Sequence, residues 1–231
     1  MKISGFQKTS LLDYPGNIVS IIFTQGCNFK CPYCHNSDLV SSESKTKEYY
    51  PIEYIYSFIK NRKGLIDGVS ITGGEPTLQP DLYDFIKKVK SMGLKIKIDT
   101  NGSNPKIIKR LINHKFLDYI AMDVKGSLFD YENIINTEIN IESIKKSISL
   151  IQASTIPYEF RTTVVPGLHD IEQIKEIAIL LKSSEKYFIQ NFKANNTFDS
   201  DYMQYNGFPP SKLETFKEVC IPYINRVEIR D

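Results

Sequence analysis

The chain's 231 residues, 41% of them hydrophobic, suffice to bury a sizeable core, and the length is that of a single domain spanning 1–231. Its 29 basic and 27 acidic residues leave a formal charge of +2, too small to attract nucleic acid or an anionic membrane, and neither is expected as a partner. No apolar run approaches the ~20 residues that span a bilayer, and the first residues hold no secretory apolar core, so a cytoplasmic, reducing setting is expected.

Short β-branched runs alternate with longer amphipathic ones, the pattern of successive strand–helix units on a parallel sheet. The runs at 17–24, 68–72, 94–100, 117–124, 158–165 and 186–192 predict six strands. Between them, 52–63, 81–92, 105–114, 141–153 and 171–183 carry apolar residues at three- and four-residue spacing, which predicts helices with one buried face. A further helix is expected over 211–220, and the short run NRVEIR closes the chain. Pro51 is expected in the first turn of its helix, Pro80–Asp81 at another helix start, and Gly93 at a helix end. Six such units predict an α/β fold of the partial (β/α)6 barrel type, with an open doubly wound sheet as the alternative. In either, ligands gather at the carboxyl ends of the strands, and the polar and glycine-rich clusters of this sequence all fall there.

Strand one runs into TQGCNFKCPYCHN, which places Cys27, Cys31 and Cys34 within eight residues. The remaining cysteine, Cys220, lies in a distant helical pattern and reads as a buried core thiol. In a reducing compartment, clustered cysteines serve as ligands or catalysts more often than as disulfides. A zinc-binding adaptor is one reading, but structural zinc wants four ligands. His35 adjoins Cys34, and neighbouring side chains seldom converge on one small ion. A 4Fe–4S cluster is the other reading: three thiolates hold three irons and leave the fourth open to an outside molecule. Tyr33, just before the third cysteine, serves either as a cofactor wall or as simple packing.

Strand two ends in TGGEP, where Gly73 and Gly74 permit close approach of a ligand to the backbone and Glu75 offers a carboxylate suited to an ammonium group. Alone, this is an ordinary strand–helix turn; beside the cysteine triplet it gains weight. Strand three ends in DTNG, where Asp99 or Thr100 either caps the next helix or binds a polar ligand or cation, with Asn101 in the turn. In MDVKG, Asp123 and Lys125 share one face of strand four and should look into the barrel mouth, paired with each other or with a ligand. Arg161 interrupts an apolar strand five, where it reaches a ligand carboxylate or pairs with Asp123 or Glu75. Val165–Pro166 offers a flat apolar wall. His169 is expected in a surface loop and His114 at a helix end.

The cysteine triplet followed by GGE at the next strand end resembles the radical S-adenosylmethionine (SAM) superfamily. DYPG, TGGEP, DTNG, MDVK and VVPG extend the resemblance along nearly the whole chain, to the glycyl-radical-enzyme activases. SLLDYPG and the lack of further cysteines are similar to the activating proteins of anaerobic ribonucleoside-triphosphate reductase. The resemblance implies that Cys27, Cys31 and Cys34 hold a 4Fe–4S cluster whose open iron is chelated by SAM. It implies Tyr33 and His35 flanking the adenine, backed by Val165 and Pro166, and Gly73, Gly74 and Glu75 at the methionine amino group. Asp99, Thr100 and Asp123 would hold a monovalent cation, with Asn101 in the same turn, while Lys125 and Arg161 anchor the SAM carboxylate end. Further implied are a flavodoxin- or ferredoxin-type electron donor and a 5′-deoxyadenosyl radical that takes hydrogen from a glycine of a partner enzyme. The stretch IQNFKANN lacks the histidine usual in formate-lyase activases, and no cysteine-rich insertion is present. The alternatives are activation of another glycyl-radical enzyme, of the pyruvate formate-lyase type, or radical chemistry on a small molecule or peptide.

Overall fold

The computed structural model describes residues 1–43 and 48–230. Strands β1 (Ile3–Ser10), β2 (Val19–Thr24), β3 (Gly68–Gly73), β4 (Lys95–Thr100), β5 (Tyr119–Asp123), β6 (Tyr158–Val164), β7 (Tyr187–Asn191) and β8 (Val227–Arg230) form one sheet in chain order. β1 runs antiparallel to β2, and every later pairing is parallel. Among the described residues β1 and β8 do not pair, so the sheet curls into a barrel that stays open.

Helices α1 (Ile52–Asn61), α2 (Leu82–Ser91), α3 (Pro105–Asn113), α4 (Tyr131–Ile135), α5 (Ile141–Gln152), α6 (Ile171–Leu180) and α7 (Pro210–Cys220) complete the chain. The long ones bury the apolar stripes their spacing requires: Ile55 and Ile59 in α1, Phe85, Ile86 and Val89 in α2. These stripes meet the outward residues of the strands in one extended core, which also contains Cys220, fully buried. A second, smaller cluster of Tyr14, Val19, Ile21, Tyr119 and Ala121 fills the inside of the barrel near the strand N-termini.

The six expected strands correspond to β2–β7, and the closing run forms β8. β1 is unforeseen. Its residues ISGFQKTS alternate poorly, and pairing with β2, interrupted by irregular register, decides its conformation. α4 is also unforeseen, since five residues offer no periodicity; buried Tyr131, Ile134 and Ile135 hold it. Pro51 stands at the N-cap of α1 rather than within its first turn, and Asp81 caps α2. Gly93 follows α2 with φ +83°, a left-handed stop that glycine adopts freely.

Candidate functional site

The loop after β2 is built around Gln25, which is almost fully buried. Its Nε2 donates to the Asp38 and Ser41 carbonyls at 2.9 and 2.8 Å, and its own carbonyl accepts from Gln79 Nε2 at 2.7 Å. Gly26 and Cys27 donate their amides to Leu39 and Val40, and Lys30 donates its amide to Ile135 at the end of α4. Thus the cysteine loop is fastened on both sides before any ligand arrives. Cys27, Cys31 and Cys34 are free thiols that line one cavity of about 300 Å³ at the carboxyl ends of the strands. Burial pushes Cys27 up to about 12 and Cys31 up to about 11, and raises Cys34 as well; the Lys125 charge opposes this at all three. Burial outweighs Lys125 and the groups stay protonated, so binding a metal centre must release protons.

The GGE turn reaches the same cavity by close backbone packing. Gly73 has φ +117°, and a Cβ on Gly74 would collide with the Gly26 and Leu39 carbonyls. Gly74 donates its amide to the Thr24 carbonyl at 2.9 Å and Glu75 to that of Gly26 at 2.8 Å, which locks the turn against the cysteine loop. The Glu75 carboxylate lines the cavity but is fully buried and already bonded to protein donors. It accepts from the amide and hydroxyl of Thr77, from Thr100 Oγ1 at 2.7 Å and from the Asn101 amide at 2.6 Å. Burial raises its pKa, and these donors pull it back. What GGE turns toward a ligand is therefore chiefly backbone, while its carboxylate joins the ends of β3 and β4. In DTNG, Asn101 makes the turn as expected, accepting from the Ser103 amide at 3.0 Å, but Asn104, and neither Asp99 nor Thr100, caps α3.

The inner faces of β4, β5 and β6 carry a chain of buried charges. Arg161 Nε donates to Asp123 Oδ1 at 2.9 Å and its Nη1 to Asp99 Oδ2 at 3.4 Å. Lys125 Nζ donates to Asp123 Oδ2 at 3.1 Å, and Lys97 pairs with Asp99. Below them, Glu159 accepts from Nη1 and Nη2 of Arg230 at 2.9 and 3.0 Å and from the Tyr119 hydroxyl at 2.8 Å. Burial alone would push Asp99 and Asp123 up. Arg161, with Lys97 at Asp99 and Lys125 at Asp123, outweighs it and holds both below the usual carboxylate range.

All three cysteines and Tyr33, His35, Gly73, Gly74, Glu75, Asp99, Thr100, Asn101, Asp123, Lys125 and Arg161 line the one cavity. Val165 and Pro166 do not. β6 ends at Val164, and the turn that follows buries Val165 in the core instead of continuing its strand face. His169 is not a surface residue either. It is 4% exposed, accepts the Val165 amide on Nδ1 at 3.1 Å, and meets the Lys125 carbonyl through Nε2 at 2.8 Å. Those partners make Nε2 the protonated nitrogen, and burial lowers the pKa. His114 caps α3 as expected, with Nδ1 at 2.8 Å from the Arg110 carbonyl. Sequence reasoning missed Gln25, Lys97, Glu159 and Arg230. Lys97 alone left a trace, a lysine flanked by isoleucines in mid-strand.

The site suits a cluster better than a single ion. Among the described residues no group of three or more His, Cys, Asp or Glu side chains converges to hold one metal ion, whereas cluster thiolates bind separate irons. The Tyr33 hydroxyl, buried in the cavity wall beside the cysteines, has no protein partner.

Residues 21–181 match the radical SAM superfamily. The chain belongs to that superfamily. Radical SAM enzymes use a 4Fe–4S cluster and SAM. This member is 35% identical, over 99% of its length and 95% of the other's, to a Methanocaldococcus jannaschii protein whose name, glycyl-radical enzyme activating enzyme, is provisional. It is 29% identical, over 79% and 76%, to the pyruvate formate-lyase-activating enzyme of Clostridium pasteurianum. These relatives group it with the enzymes that activate glycyl-radical enzymes. Its fold matches Streptococcus suis SuiB bound to S-adenosylmethionine with a TM-score of 0.69 at 17% identity, covering 92% of this chain and 50% of that one. TYW1 with a lysine–pyruvate adduct matches at 0.60 and 16% identity, covering 88% and 73%. The chain spans about half the length of SuiB. Among the described residues no helix is long and apolar enough to cross a membrane.

Proposed function

We propose that Cys27, Cys31 and Cys34 each bind one iron of the 4Fe–4S cluster, and that SAM occupies the remainder of the cavity. The carrying observation is that three free thiols share a fastened loop and one cavity with the GGE turn and the charge chain of β4–β6. When bound and reduced, the cluster supplies one electron to the sulfonium, which yields methionine and a 5′-deoxyadenosyl radical able to take a glycine hydrogen.

The chain's own residues bind and orient. The backbone of Gly73 and Gly74 receives the methionine amino group, and Glu75 holds that turn to β4. Lys125 and Arg161 present the positive charge a methionine carboxylate needs, and Asp99, Asp123 and Thr100 supply oxygens for a monovalent cation beside it. Tyr33 and His35 offer ring faces for adenine; His35 lies 5.5 Å from the Phe192 ring at 35°. The barrel's open edge between β1 and β8 leaves a path for a partner's glycine loop.

The partner is a glycyl-radical enzyme of the anaerobic ribonucleoside-triphosphate reductase class, a reading supported by SLLDYPG and by the absence of further cysteine clusters. The kinship with formate-lyase activases favours a pyruvate formate-lyase-type partner as the second reading. Anaerobic reconstitution tests the core of this. The protein should take up iron and sulfide and convert SAM to 5′-deoxyadenosine under a flavodoxin- or ferredoxin-type donor. Cys27→Ala, Cys31→Ala and Cys34→Ala should lose both properties, and Cys220→Ala should keep them. Incubation with each class of partner, read by electron paramagnetic resonance for a glycyl radical, separates the two readings.

A further inference from the structure

Two donors approach Cys27 Sγ. One is the Phe29 amide at 3.4 Å, a contact within the cysteine loop, of the kind Cys31 and Cys34 also receive from backbone amides of that loop. The other comes from a different strand: Asn101 Nδ2, at the end of β4, lies 3.9 Å from the sulfur.

The Asn101 carboxamide has no freedom to turn away. Its Oδ1 accepts from the Ser103 amide at 3.0 Å and the Ser103 hydroxyl at 2.6 Å. The other Nδ2 hydrogen goes to Asn28 Oδ1 at 3.0 Å, and the Asn101 amide is held by Glu75 Oε2 at 2.6 Å. Exchanging oxygen and nitrogen would oppose the Ser103 backbone N–H to a donor and Asn28 Oδ1 to an acceptor, so one orientation survives. The Asn101 side chain itself is buried, 6% exposed.

We propose that Asn101 is a positioning residue that sets the reduction potential of the cluster, through a side-chain N–H held against the Cys27 sulfur by Ser103 and Asn28, on a backbone that Glu75 anchors. This rests on Cys27 being a cluster ligand. An electron added to the cluster increases negative charge on its sulfurs, and a fixed N–H dipole stabilises that state more than the oxidised one. Because the Asn101 donor is buried, its dipole is screened less than one at the surface would be. The GGE glutamate and the DTNG asparagine thus act together: Glu75 holds the Asn101 backbone amide, and the Asn101 side-chain carboxamide touches the thiolate.

The test is an anaerobic redox titration of reconstituted wild type, Asn101→Leu and Asn101→Asp, followed by electron paramagnetic resonance, with iron and sulfide measured on each sample. Leucine keeps the branched shape and removes the donor without adding charge, so it decides the test; aspartate keeps the acceptor for Ser103 and removes the donor, and its added negative charge should lower the ratio further. At a fixed applied potential, each variant should show a reduced-to-oxidised ratio several-fold to about tenfold below wild type, tenfold being about 59 mV for a one-electron couple. A merely structural role would lower cluster content and leave the potential of the remaining clusters unchanged. Equal ratios in fully loaded samples overturn the proposal and leave the cluster assignment standing. Loss of the cluster from both variants also overturns it, since Asn101 would then build the loop instead of tuning it. A wild type that takes up no iron and sulfide removes the cluster assignment itself, and the proposal with it.

Discussion

Replacing Glu75 by leucine removes a fully buried carboxylate and leaves its donors in place. The two threonine hydroxyls, of Thr77 and Thr100, can rotate toward other acceptors; the backbone amides of Thr77 and Asn101 cannot. Each stranded buried amide costs about 1–3 kcal/mol, so two cost about 2–6 kcal/mol. Against this stands the burial penalty that raises the Glu75 pKa, which a neutral side chain avoids. The net remains a large part of the ~5–15 kcal/mol available to a domain. Glu75→Gln keeps one acceptor oxygen and sheds the charge, so it should cost about 1–3 kcal/mol. Urea unfolding of the protein freed of cluster and SAM measures both, with m unchanged. The order wild type, Gln, Leu is expected. If Glu75 served chiefly to bind the SAM amino group, the unliganded protein would not notice its loss. A leucine variant within about 0.5 kcal/mol of wild type would refute the reasoning.

Gly74→Ala should cost about 1–3 kcal/mol, because its Cβ meets two carbonyls of the cysteine loop and not a flexible side chain; a lowered thermal midpoint together with reduced iron uptake checks it. Glu159→Gln leaves Arg161 and Arg230 without their shared carboxylate. Arg230 is 37% exposed at its side chain and regains some hydration, so the loss should stay near about 1–3 kcal/mol in denaturant titrations. His169 is held neutral, its folded pKa below the ordinary 6.5, so the unfolded chain takes up the proton first. The stability it contributes is therefore complete above about pH 6.5 and declines as pH falls below it. Unfolding midpoints at about pH 8 and 5.5 should differ more in wild type than in His169→Gln, and equal differences would refute this.

Some of the site was written in short-range pattern. Cys27, Cys31 and Cys34 stand within eight residues, and their spacing alone brings them onto one loop whatever surrounds it. β2–β7 followed from β-branched runs, and that regularity located GGEP, DTNG and MDVK at the carboxyl ends of strands. Asp123 and Lys125 face one cavity because side chains two apart on a strand share a face, a rule needing no partner. The apolar wall expected at Val165 had no such support: β6 ends at Val164, and the turn buries Val165 in the core.

The amino-acid order by itself determined the cysteine triplet, the strand–helix alternation and the placing of polar clusters at strand ends, because each depends on neighbours within about one turn or one strand. The tertiary structure alone decided which groups those clusters meet. Glu75 found Thr100 and Asn101 at the end of β4, Glu159 found Arg230 at the other end of the chain, and His169 lay against the Lys125 carbonyl. Hydrogen bonds and ion pairs act through space over a few ångströms, and the register of eight strands brings those atoms within reach.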